Sequence, residues 1–147
     1  MATVSAHIAA PPERVWAVLA DGWRYTNWVV GTSHMRAVDA RWPAEGAVLH
    51  HAVGAWPLLL RDDTTVERSQ PPSLLVLRAS GGLLGDARIE LRLTHVGGET
   101  DLEMTETPIT GMGRWLHNRL QDALLHRRNR EALARLAALC EQRTEPA

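Results

Sequence analysis

An acidic side chain lies on an otherwise apolar face near the end of the strand-like part of the chain. Glu106 follows Leu102 and Met104 at two-residue spacing, so the three side chains share one face of a strand. A carboxylate that faces a protein interior is costly unless it is paired or hydrogen-bonded. Two readings follow for Glu106. It anchors a ligand or does acid–base work with a pKa raised by desolvation, or it belongs to a structural polar network that reaches the start of the last helix.

A histidine occupies a similar position earlier in the chain. His51 lies between Leu49 and Val53 in an alternating segment, which places it on the inner face, whereas His50 faces outward. An imidazole can exchange a proton near neutral pH. His51 is therefore the candidate partner of Glu106 if the pair is functional, and a structural residue if it is not.

The next segment adds further polar candidates. The position of Val66 places Thr64 and Asp62 on the inner face as well, and Arg61 is a further candidate there. The interior is therefore predicted to contain several polar groups that must find partners.

Other kinds of chemistry find no support in the sequence. His50 and His51 leave opposite faces of a strand, and His117 and His126 are nine residues apart on a helix, so no metal site is predicted. Ser33 lacks the second glycine of a nucleophile elbow and reads as a loop residue. All sixteen basic residues are arginine, which excludes a P-loop and a lysine-linked cofactor. No cofactor is predicted.

Composition sets the class of protein. The 147 residues predict one domain over 1–142 with a flexible tail at 143–147. The net charge of −1 favours neither nucleic acid nor an anionic membrane as a partner. One cysteine, the lack of a signal peptide and the lack of a long apolar run predict a cytoplasmic protein without integral membrane association. The oligomeric state stays open.

The elements that must position these residues follow from alternation and turn signals. Short connections rich in glycine or proline leave no room for crossover helices, so the sheet is predicted to be antiparallel, with Gly97-Gly98 as its clearest hairpin. Gly22 is expected to cap the first helix. The predicted elements are a strand at Thr3–Ala10, a helix pair in Pro11–Trp28, strands at Ser33–Ala40, Ala47–Val53, Leu58–Ser69, Ser73–Ser80, Asp86–His95 and Thr100–Pro108, and a helix at Gly111–Glu141.

Three stretches resemble a known superfamily. They are PPERVWAVLADGWRYTNWVVG, ERSQPPSLLVLRA and RRNREALARLAAL, and with the element order they cover nearly the whole chain. The chain is similar to the START/polyketide-cyclase (SRPBCC) superfamily. That resemblance implies an α+β helix-grip fold, in which a curved seven-stranded antiparallel sheet grips the last helix around an apolar cavity. Members bind lipids, sterols, polyketides or plant hormones, and some are cyclases or aromatases, without one shared catalytic motif.

A cavity is predicted because the chain has no phenylalanine and one tyrosine, so bulky side chains to fill the interior are few; its six tryptophans are the exception. Trp16 is predicted to be core, and Trp28 and Trp115 to lie near the cavity mouth. The last helix has a broad apolar surface in its first half and a narrow stripe around Leu136 in its second. The first half is predicted to roof the cavity and the second to pack on the sheet. The arginines of this helix are expected to form a solvated face with local ion pairs.

The sequence thus predicts a domain that binds an apolar small molecule, a lipid or a polyketide-like ring system, between the sheet and the last helix. Two alternatives stay open: a cyclase/aromatase-type enzyme that uses the same cavity, and a chaperone-binding module related to Hsp90-ATPase activators. The predicted ligand contacts are Trp28, Leu49, His51, Val53, Leu91, Leu93, Leu102, Met104, Glu106, Met112, Trp115, Leu116 and Leu120.

Overall fold

A computed structural model describes residues 2–30, 32–53, 60–80, 85–110 and 119–141. Met112, Trp115 and Leu116 lie outside the described residues, as do Trp56, His117, the first eight residues of the predicted last helix and the predicted tail. For Val53 and Arg61, only the backbone is described.

Seven strands form one antiparallel sheet in the order β1-β7-β6-β5-β4-β3-β2. Every predicted strand is present, and each boundary lies within about two residues of the prediction, because glycine and proline turns set the limits. The strands are β1 Ala2–Ile8, β2 Thr32–Val38, β3 Val48–Val53, β4 Leu60–Gln70, β5 Leu74–Ser80, β6 Asp86–Val96 and β7 Glu99–Pro108.

The hairpin predicted at Gly97-Gly98 joins β6 to β7. Val96 pairs with Glu99, and the two glycines between them have φ of 58° and 81°. A two-residue hairpin turn of this kind needs positive φ at both central positions, which glycine adopts without a steric cost.

In the described ranges, two α-helices and one turn of 3-10 helix lie between β1 and β2, and a third α-helix follows β7. Helix α1 spans Pro12–Leu19, the 3-10 turn Gly22–Arg24, helix α2 Tyr25–Trp28 and helix α3 Arg119–Glu141. Pro12 starts α1, where a missing N–H costs nothing. These elements together are the helix-grip fold that the resemblance implied.

Gly22 has a different role from the predicted one. The C-cap of α1 is Ala20, and Gly22 begins the 3-10 turn instead. A Cβ at Gly22 would lie 2.7 Å from Leu49 Cδ2 and 2.7 Å from Val38 Cγ1. Glycine is thus needed for close packing between the turn and the first strands of the meander. A glycine in a sequence can indicate a helix cap or a close packing contact, and the sequence alone does not distinguish the two roles.

The core lies between the inner face of the sheet and one stripe of α3. Trp16 of α1 is buried in it, as predicted. The stripe of α3 contains Leu133, Leu136 and Cys140, which recur at three- and four-residue spacing and are buried. The second half of the helix therefore packs as predicted.

The start of α3 differs from its end. Leu120 is 69% exposed, and Leu124, one turn further on, is exposed as well. A leucine in this position gives up little apolar burial if it is shortened.

We expect Leu136→Ala to lower the free energy of unfolding by about 2–5 kcal/mol, because it leaves a hole in a filled core. The matched change Leu120→Ala on the same helix should cost less than about 1 kcal/mol, because that side chain is mostly in solvent. Urea denaturation of both variants measures the difference. Equal and large losses would mean that α3 is packed along its whole length.

Candidate functional site

The inner face of β3 and β4 holds a buried histidine. His51 pairs with Asp62 across the two strands and Leu49 with Thr64, so all four side chains face inward, as predicted. His51 is only 3% exposed. Its Nε2 lies 2.9 Å from Thr64 Oγ1, whereas its Nδ1 has no hydrogen-bond partner among the described residues. A buried polar atom without a partner is uncommon in folded proteins, and it is a natural contact for a ligand.

A tyrosine that the sequence reading did not single out completes this group. The Tyr25 hydroxyl of α2 lies 3.3 Å from Thr64 Oγ1, and its ring centroid is 5.3 Å from that of His51. Thr64 thus joins the two rings through one hydroxyl. Burial raises the pKa of Tyr25 to about 12, against the effect of the hydrogen bond with Thr64, with a smaller contribution from Glu106. The phenol therefore stays protonated near neutral pH.

The environment of His51 keeps its ring neutral. Burial lowers its pKa from 6.5 to about 4, and the nearby Arg36 and His50 act in the same direction, while Asp63 opposes them. A neutral imidazole has one N–H and one bare nitrogen, and the chain to Thr64 uses only Nε2. In either tautomer, Nδ1 is left to donate or accept one hydrogen bond. With a pKa of about 4, it is a weak proton acceptor at neutral pH.

Glu106 has a partner on the last helix. Arg128 Nη2 of α3 donates to both carboxylate oxygens, at 2.7 Å to Oε1 and 2.6 Å to Oε2. The Glu106 side chain is 6% exposed and that of Arg128 is 42% exposed. The structural reading of Glu106 is therefore the one that its contacts support, although the bond reaches the middle of the helix and not its start.

This ion pair adds a long-range contact to the predicted solvated face with local ion pairs. Arg135 does pair locally with Glu131 at 3.2 Å, one turn away. Arg128 instead reaches across to the sheet. Helical periodicity cannot show such a bond, because the partner lies 22 residues away in sequence.

Asp62 is half-buried at the edge of the same region. Burial raises the pKa of its carboxyl, against the hydrogen bonds from the Asp63 backbone N–H and the Ser80 side chain. Its side chain faces inward in the row that contains His51. Asp62, His51 and Tyr25 thus give this end of the interior a polar character.

Small inward side chains lie beside this polar group. Thr64 pairs with Ala79 and Ala79 with Ala87, so one row crosses β4, β5 and β6. Ala79 and Ala87 are half-exposed although they face inward. The next row, Val66, Leu77 and Ile89, is buried. The sheet therefore passes from a fully buried row to one in which Thr64 is buried but Ala79 and Ala87 are only half-buried.

The predicted apolar contacts fall mainly on the filled side of this boundary. Leu49, Leu91, Leu93, Leu102 and Met104 are buried and belong to one packed cluster. Trp28 is also buried, with its ring against Tyr25 at a centroid distance of 5.4 Å. That these five side chains and Trp28 contact a ligand remains a prediction. Alternation identifies an inward side chain, but it does not show whether the space opposite is filled.

The outer face of the sheet carries a separate depression of about 420 Å³. It contains His7, whose ring nitrogens lie 2.7 Å from Asp101 Oδ1 and 3.3 Å from Glu99 Oε2. These polar groups already have partners. The depression includes no member of the inner polar group.

Metal-binding clusters and membrane-spanning helices are both absent from the part of the chain that the structure describes. No cluster of three or more His, Cys, Asp or Glu residues is arranged to hold a metal ion there. None of the helices there combines the length and the apolar character that a bilayer crossing needs.

The chain belongs to the family described as "Polyketide cyclase / dehydrase and lipid transport", whose model matches residues 1–141. It therefore falls in the superfamily that its sequence resembles. No curated protein matches the sequence significantly.

Solved structures share the fold at low sequence identity. The crystal structure of Ara h 8.0201 matches with a TM-score of 0.73 and 11% identity, covering 94% of this chain and 95% of the other. The Zhui aromatase/cyclase from Streptomyces sp. R1128 matches with a TM-score of 0.72 and 18% identity, covering 97% and 94%. A protein from Nitrosomonas europaea matches with a TM-score of 0.73 and 16% identity, covering 95% and 93%. At these identities the likeness concerns the fold alone.

We expect the His51 ring to titrate far below the ordinary histidine range, near pH 4, because burial disfavours its charged form. NMR titration of the histidine ring signals measures this, with His51→Asn identifying the signal. The unfolded chain takes up this proton near pH 6.5 and the folded protein only near pH 4. Stability is therefore complete above pH 6.5 and falls as the pH drops from 6.5 towards 4.

Between pH 6.5 and pH 4, the burial of His51 should lower the free energy of unfolding by about 1–3 kcal/mol. His51→Asn should abolish this part of the pH dependence. A His51 signal that titrates near pH 6.5 would contradict the buried environment.

We expect Glu106→Gln to lower the free energy of unfolding by about 1–3 kcal/mol, because Arg128 loses a charged partner. Glu103→Gln is the matched control, since Glu103 lies on the outer, exposed face of the same strand. Adding Arg128→Leu to each variant completes a double-mutant cycle. A coupling energy near zero between positions 106 and 128 would show that the ion pair does not stabilise the fold.

Proposed function

We propose that the protein binds an apolar small molecule, a lipid or a polyketide-like ring system, between the inner face of the sheet and α3. The observation that carries the proposal is His51 Nδ1, a buried nitrogen without a partner among the described residues, beside inward side chains that are half-exposed. A ligand pocket commonly combines apolar walls with a small number of placed polar groups. Membership of a family described by polyketide cyclases and lipid transport supports the same class of ligand.

The open space supports this reading independently of His51. Ala79 and Ala87 face inward and still contact solvent, and Met35 of β2 is only partly buried. Protein interiors are otherwise packed to the density of organic crystals. An inward row that is not filled therefore favours a space that a ligand occupies.

The polar contacts favour binding over acid–base catalysis. A cyclase/aromatase-type reaction through the predicted pair would need His51 and Glu106 to act together. Instead, His51 bonds to Thr64 and Glu106 to Arg128, and no bond joins His51 to Glu106. The low pKa of His51 makes it a poor base, although it can still orient a hydroxyl or carbonyl group.

The chaperone-binding alternative has less support. An interaction module of this fold would be expected to have a sealed interior. The half-exposed inward alanines argue against a sealed interior.

We expect an environment-sensitive apolar dye such as anilinonaphthalene sulfonate to bind the native protein and to be displaced by fatty acids or polycyclic aromatic compounds. Ala79→Leu should weaken dye binding at least about fivefold, because it fills the half-exposed row from within. Val76→Leu is the matched control, since it adds bulk on the outer face of the same strand.

Fluorescence titration of the unchanged protein, Ala79→Leu and Val76→Leu measures the change in dye affinity. Native mass spectrometry of gently purified protein identifies a retained ligand by its mass. Dye that fails to bind, or that binds equally to the Ala79→Leu variant, would refute the proposed location.

A further inference from the structure

We propose that Asn129 of α3 makes a second polar contact to the ligand, so that the ligand is an apolar skeleton with at least two separate neutral oxygen groups. This inference rests on the proposed function and names the chemistry of its ligand. His51 contacts one oxygen from the sheet, and Asn129 contacts the other from the helix.

Asn129 combines deep burial with an unused donor. The residue is 2% exposed, and its Nδ2 has no hydrogen-bond partner in the described part of the protein. Leaving a buried amide N–H unpaired costs free energy that an apolar side chain of similar size would avoid. Asn129 and His51 are the two residues with a side-chain nitrogen of this kind within the described ranges.

The position of Asn129 places this donor at the boundary of the open space. Asn129 heads the buried stripe of α3 that continues through Leu133 and Leu136. One turn earlier on the same side of the helix, Leu125 is only half-buried. The helix thus passes from packed to open at Asn129, as the sheet does between Ile89 and Ala87.

The neighbouring ion pair fixes the helix at this level. Arg128 bonds to Glu106, and Glu106 pairs with Ile89 across β7 and β6. Ile89 is buried, whereas Ala87, the next inward residue of β6, is only half-buried. Asn129 follows Arg128 directly and faces the core. The two unused nitrogens therefore lie on opposite walls, His51 on the sheet and Asn129 on the helix.

The His51 ring and the Asn129 amide both favour a neutral oxygen atom on the ligand. An amide N–H donates to a carbonyl or hydroxyl oxygen, and the neutral ring of His51 exchanges one hydrogen bond with such a group. Glu106 accepts two hydrogen bonds from Arg128 Nη2 and balances its charge, so this cation is not an unpaired partner for a carboxylate head group. A hydrocarbon skeleton with hydroxyl or carbonyl groups at two positions can form one hydrogen bond with His51 on the sheet and one with Asn129 on the helix.

The test compares probes with one and two oxygen groups on the same ring system. Isothermal titration calorimetry gives dissociation constants for 2-naphthol and for the 1,5-, 2,6- and 2,7-dihydroxynaphthalenes. The unchanged protein should bind at least one diol about tenfold more tightly than 2-naphthol, which is the worth of one neutral hydrogen bond. In Asn129→Leu, this preference should fall to within about twofold.

The Asn129→Leu variant should also melt at the same temperature as the unchanged protein or higher, because it removes an unpaired buried donor. A diol preference that is absent from the unchanged protein or persists in Asn129→Leu would overturn the inference, as would a large fall in melting temperature. If diols and 2-naphthol bind equally, the proposed function stands and only the role of Asn129 fails. If no probe binds at all, both proposals fail.

Discussion

The ion pair between Glu106 and Arg128 holds the last helix against the sheet at the level where the packed core ends. The carboxylate is almost fully buried and accepts two hydrogen bonds from one guanidinium nitrogen. On one side of it, the stripe of α3 and the inner face of β7 are closely packed. On the other side, Ala79 and Ala87 face inward and are only half-buried. A charge pair suits this boundary, because one partner can be buried in the core while the other stays hydrated.

The inner polar groups are arranged as hydrogen-bonding positions and not as a proton-transfer pair. Thr64 ties Tyr25 to His51, burial keeps both rings neutral, and Arg128 neutralises Glu106, the one carboxylate among the described residues that is buried. Such a lining can orient a neutral, oxygen-bearing hydrocarbon without an uncompensated charge in the interior. The same fold could support catalysis in a relative whose inward groups are bonded differently, because the fold does not fix the function.

The sequence predicted the elements well and the site in part. Alternation in β6 and β7 and glycine or proline turns act locally, so strand limits and the inward position of His51, Thr64 and Glu106 could be read directly. The contacts that complete the site join distant elements. Arg128 was grouped with the solvated arginines of the helix, and Asn129 lies in the same polar stretch, where periodicity gives no sign of a partner on the sheet. The sole tyrosine of the chain, Tyr25, was the one available signal that was not used.

The sheet order has a consequence for how the chain folds during synthesis. From β2 to β7, each strand pairs with the next one along the chain, which makes a meander. β1 pairs only with β7. β1 is therefore synthesised roughly a hundred residues before its hydrogen-bond partners in β7. At about 5–20 residues per second, that interval is on the order of 5–20 s. For that time, the unpaired edges of β1 must stay clear of other chains, and its outward Thr3, Ser5 and His7 lower the risk, because polar strand faces aggregate less readily.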